Sequence, residues 1–158
     1  MALSTAQKQT LKALAVADPV ASQLMDGTQD PELATWYNTS TAKIVFKTSV
    51  SLATVGKTFE ATGLSSMTSA NNDRLISFAM WNPQGVDPTR IDHRQFFDDI
   101  FSPASGATTR TRLTALWRRA ASRAEGALAT GIGTDASPAS LVYEGSITYS
   151  EASEIRSI

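Results

Sequence analysis

The sequence contains no cysteine and a single histidine, and only 18% of its residues are charged. Without cysteine the chain cannot form disulfides, thiolate nucleophiles or cysteine-based metal sites. With His93 as the only imidazole, a His-rich metal site or a Ser–His–Asp triad has at most one histidine to use. The charged fraction lies below the roughly 25% of a typical soluble domain. Such a surface suits a chain that buries much of itself against partners, although a monomer rich in small residues would have the same composition.

Long hydrophobic runs are absent as well. No stretch approaches the roughly 18 apolar residues of a membrane span, and residues 1–19 lack a basic segment followed by an uninterrupted apolar run. We therefore expect no membrane span and no signal peptide. The 158 residues suffice for one domain with a sizeable core, and the net charge of −1 restricts any nucleic-acid binding to a local patch.

Residues 108–129 predict one long amphipathic helix in the C-terminal half of the chain, with Thr108 as N-cap and Gly131 as the terminating glycine. Leucine, tryptophan and alanine recur along it at helical spacing and form an apolar stripe. The segment carries five arginines, and no acidic residue occurs between Asp99 and Glu125. This helix is therefore locally basic in a chain that is close to neutral.

Three arginines of this predicted helix, Arg112, Arg119 and Arg123, are spaced i, i+7 and i+11 and share one face within roughly 40°. Such a face can contact nucleic-acid phosphates without reading the base sequence. It can also pair with carboxylates, either those of Asp98 and Asp99 or those of a neighbouring subunit, where bidentate arginine contacts fix orientation. We favour the structural or inter-subunit pairing.

The remaining pattern predicts a mainly α protein, a helical bundle with one or two short strands near residues 44–50 and 140–148. Leu141, Tyr143 and Ile147 lie on one side of the second of these segments. A lone strand needs a partner, which is the 44–50 segment, another copy of the chain or a different protein. We therefore expect a helical domain at 1–139 and a partner-contacting strand plus short helix at 140–158. Met80 and Trp81 are expected to add to the core.

The sequence shows no catalytic, metal-binding or cofactor-binding motif. His93 lies among charged residues that are typical of a helix surface laced with ion pairs. Gly131 and Gly133 follow a predicted helix rather than a strand and lack the third glycine of a dinucleotide fingerprint. The chain has no P-loop, no G-x-S-x-G and no H-E-x-x-H. We expect no enzyme activity, no metal and no cofactor.

Most of the chain resembles a family of small structural proteins of tailed bacteriophages. The resemblance is carried by TLKALAVADPVASQL near the N-terminus, by NNDRLISFAMWNPQGVDPTRIDHRQFFDDIFS and by TRTRLTALWRRAASRAEGALATGIGTDASPASLVYEGSITYSEASEIR. The most specific piece is RAE-x-x-x-ATG-x-GTDASPA at residues 123–139. This piece is a pattern of similarity without catalytic residues, so it transfers no active site.

The resemblance implies a virion protein that is made in the host cytoplasm and functions as a head-to-tail connector or adaptor. It would form a homo-oligomeric ring between the portal and the tail or neck proteins, with non-specific contact to packaged DNA as a further implication. The alternatives are a tail-side or capsid-cementing protein and, outside virion structure, a small DNA-binding protein that uses Arg112, Arg119 and Arg123. In the connector, Leu141, Tyr143 and Ile147 would pair with a partner's sheet. Deletion of residues 140–158 would then leave a folded protein that does not assemble.

Overall fold

The computed structural model describes residues 2–158 and has a mainly α fold with two short strands, which confirms the predicted fold class. The helices of the described residues are Thr5–Ala17 (α1), Pro19–Met25 (α2), Asp30–Asn38 (α3), Leu52–Gly56 (α4), Ala61–Ser65 (α5), Ser69–Trp81 (α6), Ile91–Ile100 (α7), Ala107–Leu116 (α8), Arg123–Leu128 (α9) and Tyr149–Ser157 (α10). A 3-10 turn at Ala104–Gly106 precedes α8. The strands are Ser40–Phe46 (β1) and Arg118–Ser122 (β2), which form an antiparallel pair.

The chain divides into two compact units. The first unit comprises the chain up to Val45 together with Ala120–Ile158, and the second comprises Phe46–Arg119. This division differs from the boundary expected at residue 140, because the C-terminal segment belongs to the same unit as the N-terminal helices. The first unit carries five lysines and arginines against nine aspartates and glutamates, and the second carries nine against six. The second unit is therefore the basic one.

The core of the first unit is built mainly from α1, α3, α9 and α10. Its buried apolar side chains are Leu3, Leu11, Ala15, Ala21, Leu33, Ala34, Trp36, Tyr37, Ala124, Tyr143, Ile147, Ala152 and Ile155. The hydroxyl of Tyr37 donates a hydrogen bond of 2.9 Å to the carbonyl oxygen of Leu11. Burial raises the pKa of the Tyr37 phenol, because the charged form would lose its hydration. Tyr37 thus ties α3 to α1 as a neutral donor.

The core of the second unit is aromatic and surrounds α7. Its buried members are Val50, Val55, Val86, Phe97, Ile100, Phe101, Leu113 and Trp117. The α7 sequence places Phe97 and Ile100 three residues apart, so that both point to the same side of the helix. Leu113 of α8 and Trp117 just after it contribute to the same core. Burial of these side chains holds α7 and α8 within one unit.

The long helix predicted at residues 108–129 is wrong. Helix α8 ends at Leu116, residues 118–122 are the strand β2, and a short helix α9 follows. The backbone N–H of Trp117 still bonds to Leu113 O, but its carbonyl oxygen accepts from the N–H of Lys47 instead of continuing the helix. Pairing with β1 thus overrides a local helix propensity. Helix α9 begins with a capping box between Ser122 and Glu125.

The strand predicted at residues 140–148 is also wrong, and the second strand lies at Arg118–Ser122 instead. The first residue of the predicted segment, Ser140, forms an isolated bridge with Thr130, and the preceding Ala139 forms one with Val45 of β1. Further along, the side-chain amide of Asn38 takes the place of a partner strand. It donates to Ile147 O and accepts from Ile147 N, both at 2.8 Å. The alternation of apolar and polar residues in this segment therefore reflects which side chains are buried, and not hydrogen bonding to a neighbouring strand.

The carboxylate of Asp18 caps α2 and gives a testable pH dependence. Hydrogen bonds from the backbone N–H groups of Ala21 and Val20 hold its pKa below the usual value, and the charge of Arg123 adds to this. A carboxyl with a lowered pKa in the folded state stabilises above its unfolded pKa, and this contribution is lost as the pH falls through the folded value. We expect Asp18→Ala to lower the urea midpoint at pH 7 and to have a smaller effect near pH 2. Asp18→Asn, which keeps an N-cap acceptor, is the control.

Candidate interaction surface

Helix α6 is positioned by side-chain caps at both ends. The Oγ1 atom of Thr68 accepts from the N–H of Asn71 at 3.2 Å. At the other end the backbone N–H and the side-chain amide of Asn82 both donate to Phe78 O, at 3.0 and 2.8 Å. The turn after it needs Gly85, whose φ is +103° and where a Cβ would lie 2.4 Å from the carbonyl oxygen of Val50. The start and the end of this helix are therefore well defined.

The inner side of α6 rests on the aromatic side chains of α7. Phe78 stacks on Phe96 with ring centroids 4.4 Å apart and an interplanar angle of 19°. It meets the edges of Phe97 and His93 at centroid distances of 5.3 and 5.2 Å. These contacts anchor the helix although none of its 13 residues is fully buried. Aromatic pairs of this geometry add about 0.5–1.5 kcal/mol each beyond their area burial.

The outer side of α6 exposes large apolar side chains to solvent. Their exposed fractions are 51% for Ile76, 75% for Met80 and 83% for Trp81. Asp73, Ile76 and Met80 follow one another at spacings of three and four and share a helix face. We call Asp73, Ile76, Met80 and Trp81 the α6 face. A cluster of exposed large apolar residues on one helix is typical of an interaction site.

An open groove of about 450 Å³ lies beside the α6 face. Its floor is the Phe78–Phe96 stack, and its walls include Arg74, Trp81 and Asn82. The guanidinium of Arg74 lies over the ring of Phe96 at 5.5 Å from the centroid. The groove thus combines three aromatic residues with four polar ones, a mixture that is compatible with contact to another macromolecule. The groove and the α6 face together form the candidate site.

The segment from α6 through α7, which contains this site, is acidic in composition. From α6 through α7 the chain carries five aspartates against three arginines. Asp98 and Asp99 are exposed on α7, and their carboxylates form no ion pair within residues 2–158. Asp92 is paired with Arg90 at 2.5 Å, and this hydrogen-bonded contact lowers the pKa of Asp92 to about 2. Asp92 is therefore neutralised locally by Arg90, while Asp98 and Asp99 face solvent.

The three arginines predicted to share a face are distributed over three elements. Arg112 lies in α8 and forms an ion pair with Glu60, Arg119 lies in β2, and Arg123 begins α9. The guanidinium of Arg123 lies 4.8 Å from the ring centroid of Trp36 and donates to Trp36 O at 3.2 Å. The single basic helix face on which the DNA-binding alternative depended is therefore not formed. Arg112 keeps a side chain that is about half exposed.

The three residues predicted to pair with a partner strand lie within the first unit. Tyr143 and Ile147 are buried in its core, and Leu141 is partly buried against a small cluster around Val45. The hydroxyl of Tyr143 donates to Ser146 O at 3.1 Å. Burial, together with the nearby carboxylates of Glu151 and Glu125, raises the pKa of Tyr143. Strand addition through these side chains would require the core of the unit to open.

The histidine has a structural contact. His93 is buried, and its Nδ1 atom accepts a hydrogen bond of 3.1 Å from the backbone N–H of Asp87. Among residues 2–158, no group of three or more histidines, aspartates or glutamates is arranged to hold a metal ion. In the same residues, no helix combines the length and apolar character of a membrane span. The imidazole of His93 is thus engaged within the second unit.

Sequence reasoning missed the candidate site because it assigned Met80 and Trp81 to the core. Both residues are instead among the most exposed large apolar side chains of the described residues. The sequence did contain a signal for this site. Helix α6 carries Leu75 and Phe78 on its inner side and further apolar residues on its other sides. An apolar helix whose stripe is wider than one face needs a second surface to cover it.

The fold and the site define a mainly helical protein with an exposed aromatic and apolar helix face. No protein-family model matches the chain, and neither a curated protein nor a solved structure is significantly similar to it.

Proposed function

We propose that this protein is a structural component of a phage virion, a head-to-tail connector that forms a ring of identical subunits between portal and tail. The observation that carries the proposal is the α6 face, where Ile76, Met80 and Trp81 are exposed on a helix without a fully buried residue. Exposed clusters of this kind are characteristic of proteins that bury them on assembly. The sequence resemblance to small virion proteins supplies the setting in which that assembly takes place.

The side chains of the described residues are compatible with an assembly role. The one histidine is engaged inside the fold, and the charged side chains near the groove pair with each other or face solvent. The sparse charge of the whole chain, 18% of residues, favours a surface that is covered by partners. A connector needs such surfaces and no reactive groups.

Light scattering tests this proposal through the mass of the purified protein in solution, measured alone and after co-expression with the neighbouring virion proteins. We expect a ring-sized species, either for the protein alone or only in the presence of the portal protein. A protein that remains monomeric under both conditions would contradict the connector function. Binding to tail or capsid proteins without binding to the portal would instead favour the tail-side or capsid-cementing alternatives.

A further inference from the structure

We infer that the α6 face of one subunit binds helix α8 of the next subunit, so that copies of this chain join head to tail. The inference deepens the proposed function and rests on it, because it names the two surfaces through which the ring would form. The occupant of the α6 face is thus a second copy of the chain. Its docking element is the exposed side of α8, with Arg112 as the charged contact.

The first argument is the apolar area that has no cover within the subunit. Trp81 and Met80 are more than two-thirds exposed, and Trp81 also forms a wall of the aromatic groove. Tryptophan is among the residues most enriched at binding hot spots, because it buries a large area at low entropic cost. A partner that covers Trp81 and Met80 together would remove the most exposed apolar side chains of the second unit from water.

The second argument is local charge complementarity. The region from α6 through α7 carries five aspartates and three arginines, a formal charge of −2. Helix α8 carries Arg110 and Arg112 and no acidic residue, a formal charge of +2. An α6–α7 surface paired with itself would bring like charges together, and so would α8 paired with itself. A contact between the two different surfaces brings opposite charges together, and complementary potentials select partner and orientation.

The third argument concerns the residues that α8 presents. Thr108, Thr111, Arg112 and Ala115 are exposed and lie at helical spacings on one face. The Arg112 side chain is 51% exposed although it pairs with Glu60, so its guanidinium still has donors that can reach a second carboxylate. On the α6–α7 surface that would receive α8, Asp73, Asp98 and Asp99 are exposed carboxylates. An arginine–carboxylate contact would fix the orientation of the two helices.

These arguments together select a heterologous contact, because each subunit contributes a different surface. Heterologous contacts generate closed rings when the rotation between subunits closes and filaments when it does not. An isologous contact would stop at a dimer. The head-to-tail geometry therefore fits a connector ring.

Two complementary variants test the inference. Variant A carries Ile76→Ser, Met80→Ser and Trp81→Ser, which disable the α6 face and leave α8 intact. Variant B carries Thr108→Glu and Arg112→Glu, which disable the α8 face and leave α6 intact. All substituted residues are exposed, and the ion pair of Arg112 with Glu60 that variant B loses is itself partly exposed, so both variants should fold. Val142→Ser, at an exposed apolar residue of the first unit, is the matched control.

We expect each variant alone to be monomeric, with self-association weakened roughly 30-fold or more, the effect of losing one hot-spot residue. An equimolar mixture of A and B should form a 1:1 dimer and stop there, because one intact interface remains. The Val142→Ser control should assemble like the wild type. A monomeric mixture, or normal assembly by either variant, would overturn the inference while the connector function stands. A wild-type protein that stays monomeric with and without the portal protein would overturn both.

Discussion

Replacement of Phe97 by alanine is expected to lower the free energy of unfolding by about 3–5 kcal/mol, the range found when a fully buried phenylalanine is truncated. Phe97 is 1% exposed. Its ring centroid lies 5.2 Å from that of Phe96, 5.3 Å from that of Phe78 and 5.7 Å from that of Trp117. The loss therefore combines a cavity with three broken aromatic contacts. Since small domains are stable by roughly 5–15 kcal/mol, this substitution alone approaches the stability of the unit.

Urea denaturation monitored by fluorescence measures this effect, because Trp117 belongs to the same core and reports its opening. Ile91→Ala is the matched control on the same helix, since Ile91 is mostly exposed and its truncation should change stability by no more than about 0.5 kcal/mol. Equal urea midpoints for the two variants would show that the aromatic cluster does not stabilise the second unit.

The same cluster explains how the candidate site is held. Phe78 contacts Phe97 and stacks on Phe96. The inner side of α6 is therefore held in place by the same core that Phe97 fills. A loosened core would therefore also loosen the α6 face. For this reason the assembly variants replace only exposed residues, and Phe97→Ala serves as a measure of stability and not of assembly.

Local signals in the sequence were sufficient where one side chain meets one backbone group. Ser4 with Gln7 and Thr148 with Glu151 form capping boxes, and Asp18 caps α2. Each depends on residues three positions apart, so tertiary contacts are not needed to form it. The starts of these three helices can therefore be predicted from the sequence, whereas α8 starts at Ala107 and not after the predicted cap Thr108.

Contacts between distant residues were not predictable in the same way. The region after Trp117 has good helix formers, yet it becomes a strand because β1 lies beside it. Residues 141–147 have a strand pattern, yet Asn38 satisfies the backbone of Ile147 through its side chain. Gly145, with a φ of +141°, interrupts the extended stretch. For both segments, the strand or side chain that determines the structure lies dozens of residues away along the chain. The periodicity of the segment itself carries no information about such a partner.

The candidate site was missed for a related reason. Hydrophobicity indicates that Met80 and Trp81 need to be buried, but it does not indicate whether the cover belongs to the same chain. The basic segment was recognised from the sequence, but its arginines do not share one helix. Because α8 ends at Leu116, Arg112 lies on a different element from Arg119 and Arg123. An arginine face that seemed continuous on one helix became a single exposed arginine on α8, which is the contact the assembly hypothesis uses.

Deletion of residues 140–158 is expected to unfold the first unit, in contrast to the folded but non-assembling protein anticipated from the sequence. The deleted segment contributes Tyr143, Ile147 and Ile155 to the core, all nearly inaccessible to solvent. Burial of one large apolar side chain stabilises by about 1.5–3 kcal/mol, so the three together are worth on the order of 5–9 kcal/mol. The deletion also removes both hydrogen bonds between Asn38 and Ile147. The sum is comparable to the whole stability of a small domain.

Near-ultraviolet circular dichroism and hydrogen exchange of α1 and α3 measure the outcome of this deletion. We expect the loss of fixed aromatic signals and rapid exchange at amides such as that of Tyr37, which the intact core protects. The double variant Val142→Ser, Tyr149→Ser is the control, because it changes the same segment only at exposed positions and should keep the wild-type spectrum. A deletion protein with native exchange rates would mean that the C-terminal segment is dispensable for folding. Residues 140–158 would then be available to bind a partner, as the hypothesis that they pair with a partner's sheet requires.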